Sequence, residues 1–127
     1  MPIGQLLFSP VIIQGLAQNG YPNSIIFIEF YVSPSEKQRT ESASGPEPSY
    51  HNTFECYIRD KEDFLSLELI NEDPTRPGHI GSTRVSLKKV FDAGFFEDWV
   101  PLSTTTGGPL GHLYIKLAFT VSITITR

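Results

Sequence analysis

"LELINEDPTRPGHIG", Leu67 to Gly81, decides how this chain is read. Leu67 and Leu69 alternate with Glu68, the two-residue period of a half-buried strand. Glu72 and Asp73 then open an acidic, proline-bounded loop, and Ile80-Gly81 resumes extended chain on its far side. A strand that enters and leaves an acidic loop raises the question of whether that loop holds calcium. Working outward, "FLSLELI" places Leu65, Leu67 and Leu69 on one face, "TFECYI" does the same for Phe54, Cys56 and Ile58, and "SIIFIEFYV" is apolar enough for a more central strand. No segment keeps a 3.6-residue period over three turns. The best candidate, "SLKKVFDAGFFEDW", is cut by Gly94 and has room for one helical turn.

Seven or eight short strands separated by Gly- and Pro-rich spacers predict an all-β fold, an antiparallel sandwich of two sheets. With 127 residues, 39% apolar and 19% charged, the chain is expected to be a single domain, 1–127. The span 35–52, rich in Ser, Pro and Glu, is expected to be a mobile loop in which "KQRTES" forms a short edge strand. From Leu113 to Ile125 every odd position is apolar. Thirteen such residues would reach about 43 Å, beyond the ordinary strand, so this run either bends to join both sheets or overhangs, with 120–127 as an extra or overhanging piece.

Fourteen acidic residues against ten basic ones, a formal charge of -4, exclude a general nucleic-acid binder, whose footprint is a clustered basic surface. The apolar start has no Lys or Arg before Lys37 and is interrupted by Pro10, so it is expected to be mature structure rather than a secretion signal. The single cysteine cannot form a disulfide framework within the chain and points to a reducing, intracellular, cytoplasmic setting.

Several motifs in order carry a family resemblance. "GQLLFSPVIIQGL", with Gly4, Leu6, Phe8, Pro10, Ile13 and Leu16, resembles the opening strand of a C2 domain. "RTESASGPEPSYHNTFECYI" is similar to that family's run into its fourth strand, with Tyr50 where a tryptophan is usual and Phe54 in its place. "LSLELINEDPTRPGHIGSTRVSL" resembles the fifth strand, third loop and sixth strand, while "WVPL" and "GHLYIKLAF" resemble the closing segment. The likeness runs from Gly4 to Phe119. It implies an eight-stranded antiparallel β-sandwich whose loops at one end hold calcium in some members and dock on phospholipid. One strand before the first loop favours the circularly permuted topology. The family position of Trp99 and Leu102 implies that both pack inward.

By that resemblance the calcium positions fall on Asn19 and Asn23 in loop one and on Asn71, Asp73 and Gly78 in loop three, and only Asp73 keeps a charge. Calcium affinity rises with the number of carboxylates, because amides supply little of the attraction that offsets dehydration of a divalent ion. No metal and no cofactor are therefore expected. Glu72 should project away from the side shared by Asn71 and Asp73.

For lipid, the candidate contacts are Tyr21, Arg76, Lys88 and Lys89, and the charge balance leaves them little pull on anionic headgroups. For catalysis, Cys56 falls on an apolar face, and His51, His79 and His112 lie on separate segments without metal-ligand spacing, so no enzyme is expected. The remaining expectation is a non-catalytic, calcium-independent C2-like module that binds a protein partner or a second copy, with Phe95, Phe96, Val121, Ile123 and Ile125 as its surface. A calcium-independent phospholipid-binding domain, peripheral to a membrane, is the alternative.

Overall fold

The alternating segments form strands at the places their periodicity indicates. In the computed structural model, which describes residues 3–121, they are β1 (Gly4–Gln14), β2 (Ile25–Tyr31), β3 (Gln38–Arg39), β4 (Ala43–Ser44), β5 (Phe54–Ile58), β6 (Phe64–Asn71), β7 (Gly78–Ser86), β8 (Phe95–Thr104) and β9 (Pro109–Val121), with one short helix, α1 (Lys88–Ala93). Ile123 and Ile125 lie outside the described residues. Every pairing is antiparallel, along the path β3-β2-β6-β7-β8-β9-β1-β5. β3 and β4 are two pieces of one edge on β2, so the count is eight full positions. The single strand before the first loop, with β9 returning beside β1, is the permuted arrangement.

The path curls into two facing halves, β3-β2-β6-β7 and β8-β9-β1-β5. Phe8 of β1 meets Phe30 of β2 with ring centres 4.9 Å apart, and Phe30 meets Phe54 of β5 at the same distance. Leu65, Leu67 and Leu69 of β6 and Leu113, Ile115 and Leu117 of β9 complete the core between the halves. Each such side chain contributes roughly 1.5–3 kcal/mol on burial. The apolar run of β2 has a second explanation on its outer face: the Arg39 guanidinium lies 3.6 Å from the Phe27 ring centre, covering it.

The edge strand expected from "KQRTES" is broken in the middle. Thr40 turns inward, where its Oγ1 accepts the Ile28 N–H at 3.0 Å and its own N–H donates to the Ile28 carbonyl at 2.9 Å. The span 35–52 is further tied down at Tyr50, whose buried hydroxyl donates to the Ile26 carbonyl at 2.8 Å. β9 runs unbroken for 13 residues between β8 and β1. Its end stays in register with β1 as far as Val121 opposite Gly4, past the last β8 pair at Ala118.

Trp99 departs from the family expectation. Leu102 is buried as expected, but Trp99 is 39% exposed on the outer face. The reason is parity: Val100 and Leu102 point into the core, so Phe95, Glu97 and Trp99 point out. Phe96 shares the inward parity and packs against the core.

Two ionisable groups sit in that core. Burial pushes the Cys56 thiol from 9.0 up to about 11, with the Glu36 charge adding to the effect, and burial raises the Tyr50 phenol as well. A thiol that ionises near 9 unfolded and near 11 folded leaves the unfolded chain with fewer bound protons between those values, so stability falls as pH rises through them. Urea unfolding at pH 9 and pH 11 is expected to differ by about 2 kcal/mol from Cys56 alone. The Cys56→Ala variant should lose that share of the slope, and a parent with flat stability over this range would contradict it.

Candidate functional site

Loop one joins β1 to β2 and loop three joins β6 to β7, so strand order brings their tips together at one end of the sandwich. Loop one is wound tight: a single 3-10 turn, Ala17–Asn19, closes on Gly20 at φ 100°, and the Tyr21 N–H donates to the Leu16 carbonyl at 2.9 Å. Asn19 is spent inside this turn, its Nδ2 donating to the Gly15 carbonyl at 2.7 Å. Asn23 is exposed further along.

Loop three is organised by Asn71, which is only 2% exposed. Its Oδ1 accepts the N–H of Ile25 at 3.0 Å and of Asp73 at 3.2 Å, while its Nδ2 donates to the Arg76 carbonyl at 2.9 Å. The amide thus fastens loop three to the start of β2. Asp73 turns back on its own loop, accepting from the Thr75 N–H and hydroxyl at 3.2 and 2.8 Å. Glu72 points away, as its place in the alternation requires, and accepts from the Ser42 hydroxyl. Gly78, at φ 107°, lets the chain turn back into β7.

Between the two loops stands a side chain of this chain's own. The Arg76 guanidinium donates through Nη1 to the Gly20 carbonyl at 2.7 Å and lies 4.2 Å from the Tyr21 ring centre. A Cβ on residue 20 would come within 2.6 Å of that nitrogen and displace the guanidinium, and the φ of 100° at this position itself favours glycine. A divalent ion placed ~5 Å from this charge meets roughly 2 kcal/mol of repulsion at the dielectric of water and roughly 7 at an effective value near 20. Among the described residues, no three His, Cys, Asp or Glu side chains converge on a point where a metal could sit.

The other candidates are dispersed. Tyr21 and Arg76 belong to the loop end, whereas Lys88 and Lys89 are exposed at the start of α1, beyond the opposite end of β7. That strand is 9 residues long. The two pairs are therefore separated by about 30 Å. Phe95 is 53% and Val121 56% exposed, both toward the α1 end. His51, His79 and His112 stay on separate segments. The contact sequence reasoning missed is Arg76 with Gly20, and its one written sign is a lone arginine in an otherwise acidic loop.

An antiparallel sandwich with two apposed loops at one end is the architecture that the sequence resemblance implies. A family model described as C2 domain matches residues 9–102, and the chain belongs to that family. C2 domains are modules for protein or lipid interaction, generally without catalysis, although some proteins that carry them are enzymes. Among solved structures, a C2 domain-containing protein is 19% identical over 99% of this chain and 95% of its own, with a TM-score of 0.81. A single C2 domain of plant extended synaptotagmin 1 is 17% identical over 98% of this chain and 99% of its own, at 0.76. In an extended synaptotagmin 2 chain that joins an SMP domain to two C2 domains, the match is 18% identical and covers 95% of this chain but 28% of that longer one, at 0.75. Likeness at these identities is likeness of fold. No curated protein matches the chain by sequence. Among the described residues no helix is long and apolar enough to cross a membrane.

Proposed function

We propose that this C2 domain is a calcium-independent, non-catalytic docking module whose partner is a protein. The observation that carries the reading is Arg76: its guanidinium spans loops one and three through the Gly20 carbonyl and the Tyr21 ring, between the loops that by the family resemblance hold calcium in some members. A fixed cation does there, permanently, the bridging that a diffusible ion does on demand. The loops are then held without a trigger, and affinity for a partner does not follow calcium. Protein rather than lipid is favoured because the basic side chains are scattered or engaged: Arg59 is forked onto Glu36, Lys37 faces Glu68, Arg39 covers Phe27 and Arg84 lies over Phe64. Each cation near an anionic surface is worth only ~1 kcal/mol.

Calorimetric titration with calcium chloride to about 1 mM is expected to give no binding heat, since sites weaker than that belong to the millimolar class. Sedimentation with phosphatidylserine vesicles should recover little protein and the same amount with calcium or with chelator. Micromolar calcium uptake would end the calcium-independent reading. Strong pelleting regardless of calcium would move the function to lipid docking.

A further inference from the structure

The sheet face opposite the core on β5-β1-β9-β8 carries an ordered apolar row. Leu7 of β1 and Phe95 of β8 both lie opposite Ala118 of β9, so the three stand side by side on one rung. Leu7 is 37% and Phe95 53% exposed. Two rungs toward the loops, Trp99 pairs with Tyr114, ring centres 5.1 Å apart, and forms one wall of a shallow hollow with Glu47 and His112. The Tyr114 hydroxyl donates to the Glu97 carboxylate, fixing that charge beside the indole, and the same contact raises the Tyr114 pKa. Glu47, Glu55 and Glu97 border this surface, against Lys116 on the rung between.

Apolar area bordered by carboxylates is complementary to a surface of the opposite kind. An anionic bilayer or an acidic peptide would bring like charge to it. An indole flanked by carboxylates takes a cation, through the ring face and the nearby negative charge together. We propose that this face docks a basic, amphipathic segment of the protein partner, with its apolar side chains over Leu7 and Phe95 and an arginine or lysine over Trp99 between Glu47 and Glu97. The inference rests on the protein-partner reading above and adds to it the face and the chemistry of what is bound.

Trp99 is the chain's one tryptophan, so its emission reports on this face alone. The full chain is titrated with a synthetic helical peptide of leucine and arginine, and with the same peptide carrying glutamate for arginine. The basic peptide is expected to shift Trp99 emission saturably, with affinity about tenfold weaker for Glu47→Gln with Glu97→Gln and for Leu7→Ser with Phe95→Ser. Glu41→Gln, an exposed change beside β4, should leave binding as it was, and melting curves verify that each variant folds. Equal binding of the acidic peptide, a silent Trp99, or an effect of Glu41→Gln as large as that of the face variants overturns the proposal. So does capture by phosphatidylserine vesicles with no peptide response. Calcium titration is indifferent to all of these outcomes, so the loop reading and the face reading fail separately.

Discussion

Asn71→Asp is expected to destabilise the domain by about 2–4 kcal/mol at pH 7, although the change is isosteric and an acid is what calcium-binding relatives are expected to carry there. The amide satisfies three backbone groups at once, two as acceptor and one as donor. A carboxylate keeps the two N–H partners but sets a negative oxygen against the Arg76 carbonyl, at a position only 2% exposed. The lost donor leaves that carbonyl unpaired, and the charge adds a desolvation cost. Both costs disfavour the ionised acid in the fold, so its pKa rises above the usual ~3.9. Stability relative to the parent is then lost as pH rises through that range and recovered in acid, where the protonated group can donate again. Thermal melts of parent and variant at pH 4 and pH 7 test this, with Asn52→Asp, an exposed change away from the two loops, as the comparison. A variant as stable as the parent at pH 7, or one that gains micromolar calcium affinity, would show that Asn71 is not the fastening described.

The residues also show where local pattern ends. Strand positions were readable because alternation is local: Leu65, Leu67 and Leu69, or Leu113 through Phe119, declare a buried face within a few residues. The same rule read on Val100 and Leu102 would have turned Trp99 outward, and the family position was the weaker guide. The expectation that calcium ligands are missing rests on composition alone, Asn where the family resemblance implies acids. The guanidinium between the loops was not, because Arg76 and Gly20 are 56 residues apart and meet only after β2, β6 and β7 have set the two loops side by side. The break in the β3–β4 edge was hidden for a similar reason: a threonine in a polar run gives no sign that its hydroxyl will turn inward to Ile28.

The second large effect concerns the join between the two halves. β7 and β8 share only two rungs, Gly81 with Thr104 and Ser82 with Ser103, so the continuity of the curled sheet passes through a narrow seam. Gly81 sits in it with no room to spare: an added Cβ would lie 2.4 Å from Leu110 Cδ2 and 2.6 Å from the Ser103 carbonyl oxygen. The leucine is fully buried and the oxygen belongs to the backbone, so neither can yield cheaply. Gly81→Ala is therefore expected to cost about 3 kcal/mol, at the high end of overpacking, by prising β8 from β7. In a domain of this size that is a fall of roughly 10 °C in Tm. Gly108→Ala is the proper control, since its nearest neighbour, the Thr104 hydroxyl, is at 3.4 Å and the change should lie within about 0.5 kcal/mol of neutral. Hydrogen exchange gives the sharper reading. If the seam is what fails, the amides of Ser82 and Ser103 lose protection in Gly81→Ala while those between β1 and β9 keep it. Uniform loss across both halves would mean that the glycine supports the core as a whole and not the seam.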